Sequence, residues 1–171
     1  KYEEVFHLLT KEGGCACTHY GSRHDMTDAV KLAFQDAAAV GVRRIFHAGD
    51  VHEGPGATGY RGHQNDAKFP DTDSMEDYSV SRWPRVRIKV DAKKPIMQTK
   101  MNLDAEGRPI YEEVYPKEGE VWLQADGIDG NHDCWTKQQI GHCPVRTLAL
   151  RIPEMFRYLG PNDGSISMDG A

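Results

Sequence analysis

Residues 25–50 read DMTDAVKLAFQDAAAVGVRRIFHAGD, and the fold turns on this stretch. Met26, Ala29, Val30, Ala33, Phe34 and Ala37 recur at helical spacing and mark one apolar face. Asp25 is placed to cap the helix, and Asp28 suits the positive end of the helix dipole. Gly41 stands where a helix closes in a left-handed turn. Arg43 to Ala48 then reads as a strand ending at Gly49-Asp50. Loop, helix, short connection and strand make half of a βαβ unit, which predicts a parallel sheet covered by helices.

Upstream, Tyr2, Val5, Phe6 and Leu9 predict a helix over residues 1–12, stopped by Gly13-Gly14. Cys15 to Thr18 reads as a short strand leading into a loop at His19-Tyr20-Gly21. Downstream, residues 51–70 are loop-like. Thr72 to Trp83 reads as a helix capped by Asp71 or Thr72 and ended by Pro84. Residues 86–119 break the α/β alternation. Ile96–Leu103 and Pro109–Tyr115 read there as two strands joined by a turn at Asp104–Gly107, an inserted β-hairpin arm. Glu120 to Ala125 (EVWLQA) reads as the next core strand, delivering Asp129 to Asp133 at its end. Thr136 to Leu150 is partly helical with Pro144 interrupting, and Met155–Leu159 and Ser165–Met168 read as strands around Pro161–Gly164.

The chain has 171 residues, which suits one domain. Twenty-one Lys and Arg against 26 Asp and Glu give a net charge of −5, which argues against a nucleic-acid binder working through a broad basic surface. No run approaches the roughly 18 apolar residues of a membrane span. The start at Lys1 without a signal segment and the stop at Ala171 fit a piece of a longer, cytoplasmic protein, with residues 1–171 forming a single incomplete domain; a complete mature domain is the alternative. The cysteines Cys15, Cys17, Cys134 and Cys143 admit two readings: buried thiols, or a tetrahedral zinc site.

Three polar clusters each follow a predicted strand: THYG (18–21), HAGD (47–50) and GNHD (130–133). In a parallel sheet, ligands gather outside the carboxyl ends of the strands, so the three segments can converge on one site. Their Asp, His and Asn donors suit manganese, iron or zinc. His47 reads as a packed core residue. His52 is either a ligand or a substrate contact in the loop beside Glu53, or a structural residue. Arg61 can meet a phosphate bidentately or simply face solvent.

The GD at 49–50 and GNHD at 130–133, with the preceding THYGS at 18–22, resemble the blocks of the calcineurin-like metallophosphoesterase superfamily. The family pattern runs D-x-H, G-D, G-N-H-[DE], a lone His and G-H-x-H. The resemblance covers roughly residues 15–55 and 120–168. It implies an α/β fold with a mixed sheet flanked by helices, part of the family's sandwich, with the arm at 86–119 inserted. It also implies hydrolysis of a phosphomonoester or phosphodiester by a hydroxide held on two divalent ions (Mn, Fe or Zn). The substrate would be a nucleotide, a nucleic-acid end or a phosphoprotein. On the same basis His19 and Asp50 are metal ligands, with Asp50 bridging. Asn131 is a ligand of the second ion that also touches the phosphate. His132 assists the leaving group, and Asp133 orients His132. The sequence departs from the pattern in three places: the first-block Asp falls on Cys17, a thiolate ligand that favours zinc; 81 positions separate Asp50 from Asn131, much of that length being the hairpin arm; and the two late His motifs are absent. The alternative implied by those departures is a non-catalytic metal-binding relic or scaffold module of the same fold.

Overall fold

The computed structural model describes residues 7–9, 12–56, 62–116 and 119–161. Two short strands open it, β1 (His7–Leu9) and β2 (Glu12–Cys15), paired antiparallel. The helix expected over residues 1–12 is therefore absent from its described part, and the strand expected at Cys15–Thr18 begins three residues earlier and ends at Cys15. Gly13 and Gly14 sit inside β2 rather than after a helix. Backbone pairing with a neighbouring strand decides their conformation, since glycines contribute no side-chain pattern.

Helix α1 (Thr27–Ala39) follows, with Val30, Phe34 and Ala37 buried. Burying side chains such as Val30 and Phe34 contributes about 1.5–3 kcal/mol each. Asp25 does not cap it: Met26 occupies the N-cap with no side-chain bond. The Asp25 carboxylate instead accepts the Gly21 N–H at 3.1 Å, Lys68 Nζ at 3.1 Å and the Tyr78 hydroxyl at 3.2 Å. Gly41 lies just past the helix at φ +87°, as expected. Strand β3 (Arg44–His47) then pairs parallel with β2, completing the βαβ unit.

Helix α2 (Thr72–Arg82) is capped by Asp71, whose carboxylate accepts the Ser74 N–H at 2.8 Å. Strand β4 (Arg87–Lys89) leads into the arm, where β5 (Ile96–Leu103) and β6 (Pro109–Val114) form the expected hairpin. The arm is anchored to the body: the Tyr111 hydroxyl donates to the Tyr158 carbonyl, and Arg146 Nη1 donates to the Gly107 carbonyl at 2.6 Å.

The expected core strand at 120–125 is two elements. Strand β7 (Glu120–Trp122) pairs antiparallel with β4 at the arm's base, and the core strand is β8 (Gln124–Asp129), parallel to β3. Fully buried Leu123 marks the change of partner, with its N–H donating to the Val86 carbonyl at 2.7 Å. Helix α3 (Asn131–Ile140) begins inside the GNHD segment, and α4 (Pro144–Arg151) begins on Pro144. That proline starts a helix rather than interrupting one, because its missing N–H is unneeded in the first turn. Strand β9 (Phe156–Pro161) runs parallel to β8; the strand expected at Ser165–Met168 lies outside the described residues.

The main sheet runs β1-β2-β3-β8-β9, four parallel strands with one antiparallel edge. With its helices the chain is α/β. Trp83, 2 % exposed, joins the layers through ring contacts with Tyr20, Phe34 and Phe156 at 5.0–5.9 Å. Asp126 of β8 is buried against Arg157 of β9, whose Nε donates at 2.8 Å, with Arg44 at 3.4 Å. Among the described residues no helix is long and apolar enough to cross a membrane. The carboxyl ends of β2, β3 and β8 lie side by side, so the three loops leaving them meet at one edge.

Candidate metal centre

The loop after β2 lies along the loop after β3 and continues the parallel pairing past the strands. Ala48 N–H donates to the Cys15 carbonyl, Cys17 N–H to Gly49, His19 N–H to Asp50 and Tyr20 N–H to Val51, all at 2.8–3.0 Å; Glu53 N–H returns to Tyr20 at 3.1 Å. Within this ladder, Cys17 (φ 56°), His19 (φ 45°) and Asp50 (φ 53°) adopt left-handed backbone, and they are the only non-glycine residues among the described ones that do. Such conformations cost of order 1–3 kcal/mol each and persist only where surrounding contacts impose them. The same three residues bring a sulfur, a ring nitrogen and a carboxylate oxygen within 4.8 Å of one another.

The β3 and β8 loops touch backbone to backbone. Gly49 has φ +101°, and a Cβ there would stand 2.6 Å from the Gly130 Cα. A Cβ on Gly130 would stand 2.0 Å from the Asp50 nitrogen. Two glycines are required at this crossing, and the approach lets the His132 N–H donate to Asp50 Oδ1 at 2.9 Å. Asp50 thereby satisfies an orphan donor in the first turn of α3, where its negative charge also suits the helix dipole. Asp50 Oδ2 lies 4.0 Å from Cys17 Sγ.

Asp133 holds the same two loops from beneath. Its carboxylate is buried and accepts backbone N–H bonds from Val51, Gly130 and His52 at 3.0–3.1 Å, with the His52 ring at 3.2 Å. Burial pushes its pKa up, but the His52 ring and the N–H groups outweigh burial and hold it below the ordinary carboxylate value. The expectation that Asp133 orients His132 does not match this geometry. His132 Nδ1 lies 3.0 Å from the Glu53 carbonyl, so it carries the hydrogen and donates there. In the neutral ring Nε2 is then the basic nitrogen. His52, buried between Asp133 and Ser79 Oγ (3.2 Å), belongs to none of the donor groupings among the described residues.

Glu53 sits at the centre of the histidines. Its side chain is 4 % exposed, and Oε2 lies 2.9 Å from His19 Nδ1. A carboxylate on Nδ1 fixes the tautomer in which Nε2 is the donor atom. Burial opposes protonation of His19, but the Glu53 bond and charge, with Asp50 and Asp133, raise its pKa above the ordinary value. Glu53 Oε1 is buried and has no hydrogen-bond partner among the described residues. The His132 ring meets the His19 ring edge-on at 4.5 Å and the His63 ring at 5.0 Å.

His47 is 2 % exposed, as expected of a core residue. Its Nδ1 accepts the Gly49 N–H at 3.3 Å, and Nε2 lies 3.0 Å from Thr18 Oγ1. Asn131 is exposed at the first position of α3, next to the Gly49–Gly130 crossing. Arg61 lies outside the described residues. The four cysteines do not converge: Cys15 and Cys143 belong to the hydrophobic core, and only Cys17 enters a donor grouping. The Cys143 thiol faces Asp129 at 3.4 Å, and its pKa is pushed by burial up to about 12. His142 lies away from the centre, 2.5 Å from Glu76 of α2. Sequence reasoning gave Glu53 and His63 no role; the one available signal was the crowding of His and Glu behind the GD at 49–50.

Comparison with family models, curated proteins and solved structures gave no match.

Proposed function

We propose that this chain is a metal-dependent phosphoesterase of the calcineurin-like type, acting on a phosphomonoester or phosphodiester. The observation that carries the reading is the convergence of Cys17, His19 and Asp50, on strained loops, with His132 beside them at the carboxyl edge of a parallel sheet. The motif resemblance supports the same reading, because its GD and GNHD blocks supply the glycines at which the two loops cross.

The donor set fits a divalent ion. Thiolate, imidazole and carboxylate together suit zinc, and the imidazole is already oriented by Glu53. Cys17, His19 and Asp50 would hold a first ion, and Asp50 with Asn131 would contribute to a second. Divalent ions at such donors supply Lewis acidity toward a phosphate oxygen. The remaining work falls to the chain. His132, anchored at Nδ1 by the Glu53 carbonyl, presents Nε2 as the atom that carries a proton to the leaving oxygen. Asp50 holds the amino end of α3 in place, and Asn131 stands exposed at that end to meet the substrate.

The test is reconstitution with Zn²⁺ or Mn²⁺, metal counting by mass spectrometry, and hydrolysis of nitrophenyl mono- and diesters. Asp50→Ala is expected to lose metal and activity together. His132→Ala is expected to keep metal and lose at least about 100-fold in rate. An Asp50→Ala protein with full metal content and hydrolysis overturns the reading. Metal binding without hydrolysis in the unaltered chain favours the non-catalytic module.

A further inference from the structure

We infer that Glu53, His63 and Asp66 form a second, separate site for a divalent transition ion, zinc by its chemistry, at the mouth of the centre described above. Three observations carry this. The first is Glu53 Oε1, an oxygen of a 4 % exposed carboxylate with no hydrogen-bond partner among the described residues. A buried acceptor left in that state costs about 1–3 kcal/mol, and more when charged, so the fold holds an oxygen that a cation would satisfy.

The second is spacing. His63 Nδ1 lies 3.7 Å from Glu53 Oε1 and 3.3 Å from Asp66 Oδ2, and the three donors lie within 4.8 Å of one another. Ligand atoms about 2.0–2.1 Å from a tetrahedral zinc stand about 3.3–3.4 Å apart. The cluster is therefore close to the size the ion requires. One imidazole with two carboxylates favours zinc over magnesium or calcium, which take oxygen ligands.

The third is support and access. The 62–67 segment is fixed to the loop that carries His19: Arg23 N–H donates to the Asp66 carbonyl at 2.7 Å, Lys68 N–H to Gly21 at 2.7 Å, and Ser22 bridges Ala67. The His63 and Asp66 side chains are 37 % and 42 % exposed, so an ion reaches the buried oxygen from solvent. Because Glu53 Oε2 also holds His19, the two sites share one carboxylate and their occupancies are coupled.

Metal-stripped full-length protein is titrated with Zn²⁺ against a chromophoric chelator, and with Co²⁺ followed by absorbance. The unaltered chain is expected to bind one equivalent more than His63→Ala or Asp66→Asn. Both variants are expected to keep the sulfur-to-cobalt band that reports Cys17. Cys17→Ala is expected to lose that band and keep the equivalent that depends on His63. Equal stoichiometry and affinity in the unaltered and His63→Ala proteins overturns the site; His63 is then an ion-pair partner of the two carboxylates. Absence of the cobalt–thiolate band from the unaltered chain, with the His63-dependent equivalent present, sinks the Cys17 centre and leaves this site standing.

Discussion

Acidification should destabilise this protein through the buried imidazole of His47, between about pH 6.5 and 4. Burial pushes its pKa down from 6.5 to about 4, with His52 and His19 nearby adding to the effect and Asp133 opposing it. The hydrogen bonds give the same answer independently. Nδ1 accepts the Gly49 N–H, and Nε2 donates to Thr18 Oγ1, which donates onward to the Val51 carbonyl. A proton on Nδ1 would set two donors against each other in a buried place. The unfolded chain takes up its proton near pH 6.5 and the folded chain only near pH 4, so acid favours unfolding across that window. His47 costs nothing above about pH 6.5, and its penalty is complete near pH 4. At about 1.4 kcal/mol per pH unit, the interval from 6.5 to about 4 is worth about 3 kcal/mol. The assay is urea unfolding at pH 7, 6, 5 and 4 in chelator, comparing the unaltered protein with His47→Gln. The variant is expected to start less stable but to lose about 3 kcal/mol less over the series. Parallel pH profiles would refute the buried neutral imidazole.

Gly130→Ala places a Cβ 2.0 Å from the Asp50 nitrogen, a backbone atom that cannot rotate away. Urea unfolding should show a loss at or above the usual overpacking range of about 1–3 kcal/mol. Asp133→Asn turns an acceptor of three backbone N–H groups into a group that is half donor. A loss of about 3–5 kcal/mol at pH 7 is expected, shrinking as acid protonates Asp133 in the unaltered chain below its depressed pKa, where its stabilisation disappears anyway. Cys17→Asp should move metal preference from zinc toward manganese, read by competitive loading, because an oxygen donor replaces sulfur. Arg157→Met leaves Asp126 buried with, among the described residues, Arg44 as its one cation at 3.4 Å, and should cost about 3–5 kcal/mol by thermal or urea unfolding.

What the sequence announces is what has a repeating pattern. Helix α1 shows its buried Val30, Phe34 and Ala37 at helical spacing, and the arm shows two polar-apolar runs around a turn, so both are legible. Strand β2 is EGGC; two glycines carry no periodicity, and only its pairing with β3 makes it a strand. EVWLQA reads as one strand because β7 and the start of β8 have similar residues. What separates them is partner choice across buried Leu123, a tertiary fact. At the site, strand-end position selects His19, Asp50 and His132 from sequence alone, and Cys17 enters only through the first block of the motif resemblance. Glu53 is different in kind. Its importance lies in an oxygen that finds no hydrogen bond among the described residues and in three imidazoles that approach from two loops and the first turn of α3, and neither is written locally.

The strain at Cys17, His19 and Asp50 explains why the loops are built as they are. Glycine would adopt these left-handed conformations at no steric cost, and the sequence does use glycine at neighbouring Gly21 and Gly49. At the three strained positions a side chain is kept instead, and each ends in a metal-donor atom. The ladder from Ala48 to Glu53, the Gly49–Gly130 contact and the buried Asp133 together supply the bonds that impose these conformations. A fold selected only for stability would place glycine there and relieve the strain. Keeping sulfur, imidazole and carboxylate on unfavourable backbone, at the carboxyl edge of a parallel sheet, is the arrangement expected when the side chains themselves are needed.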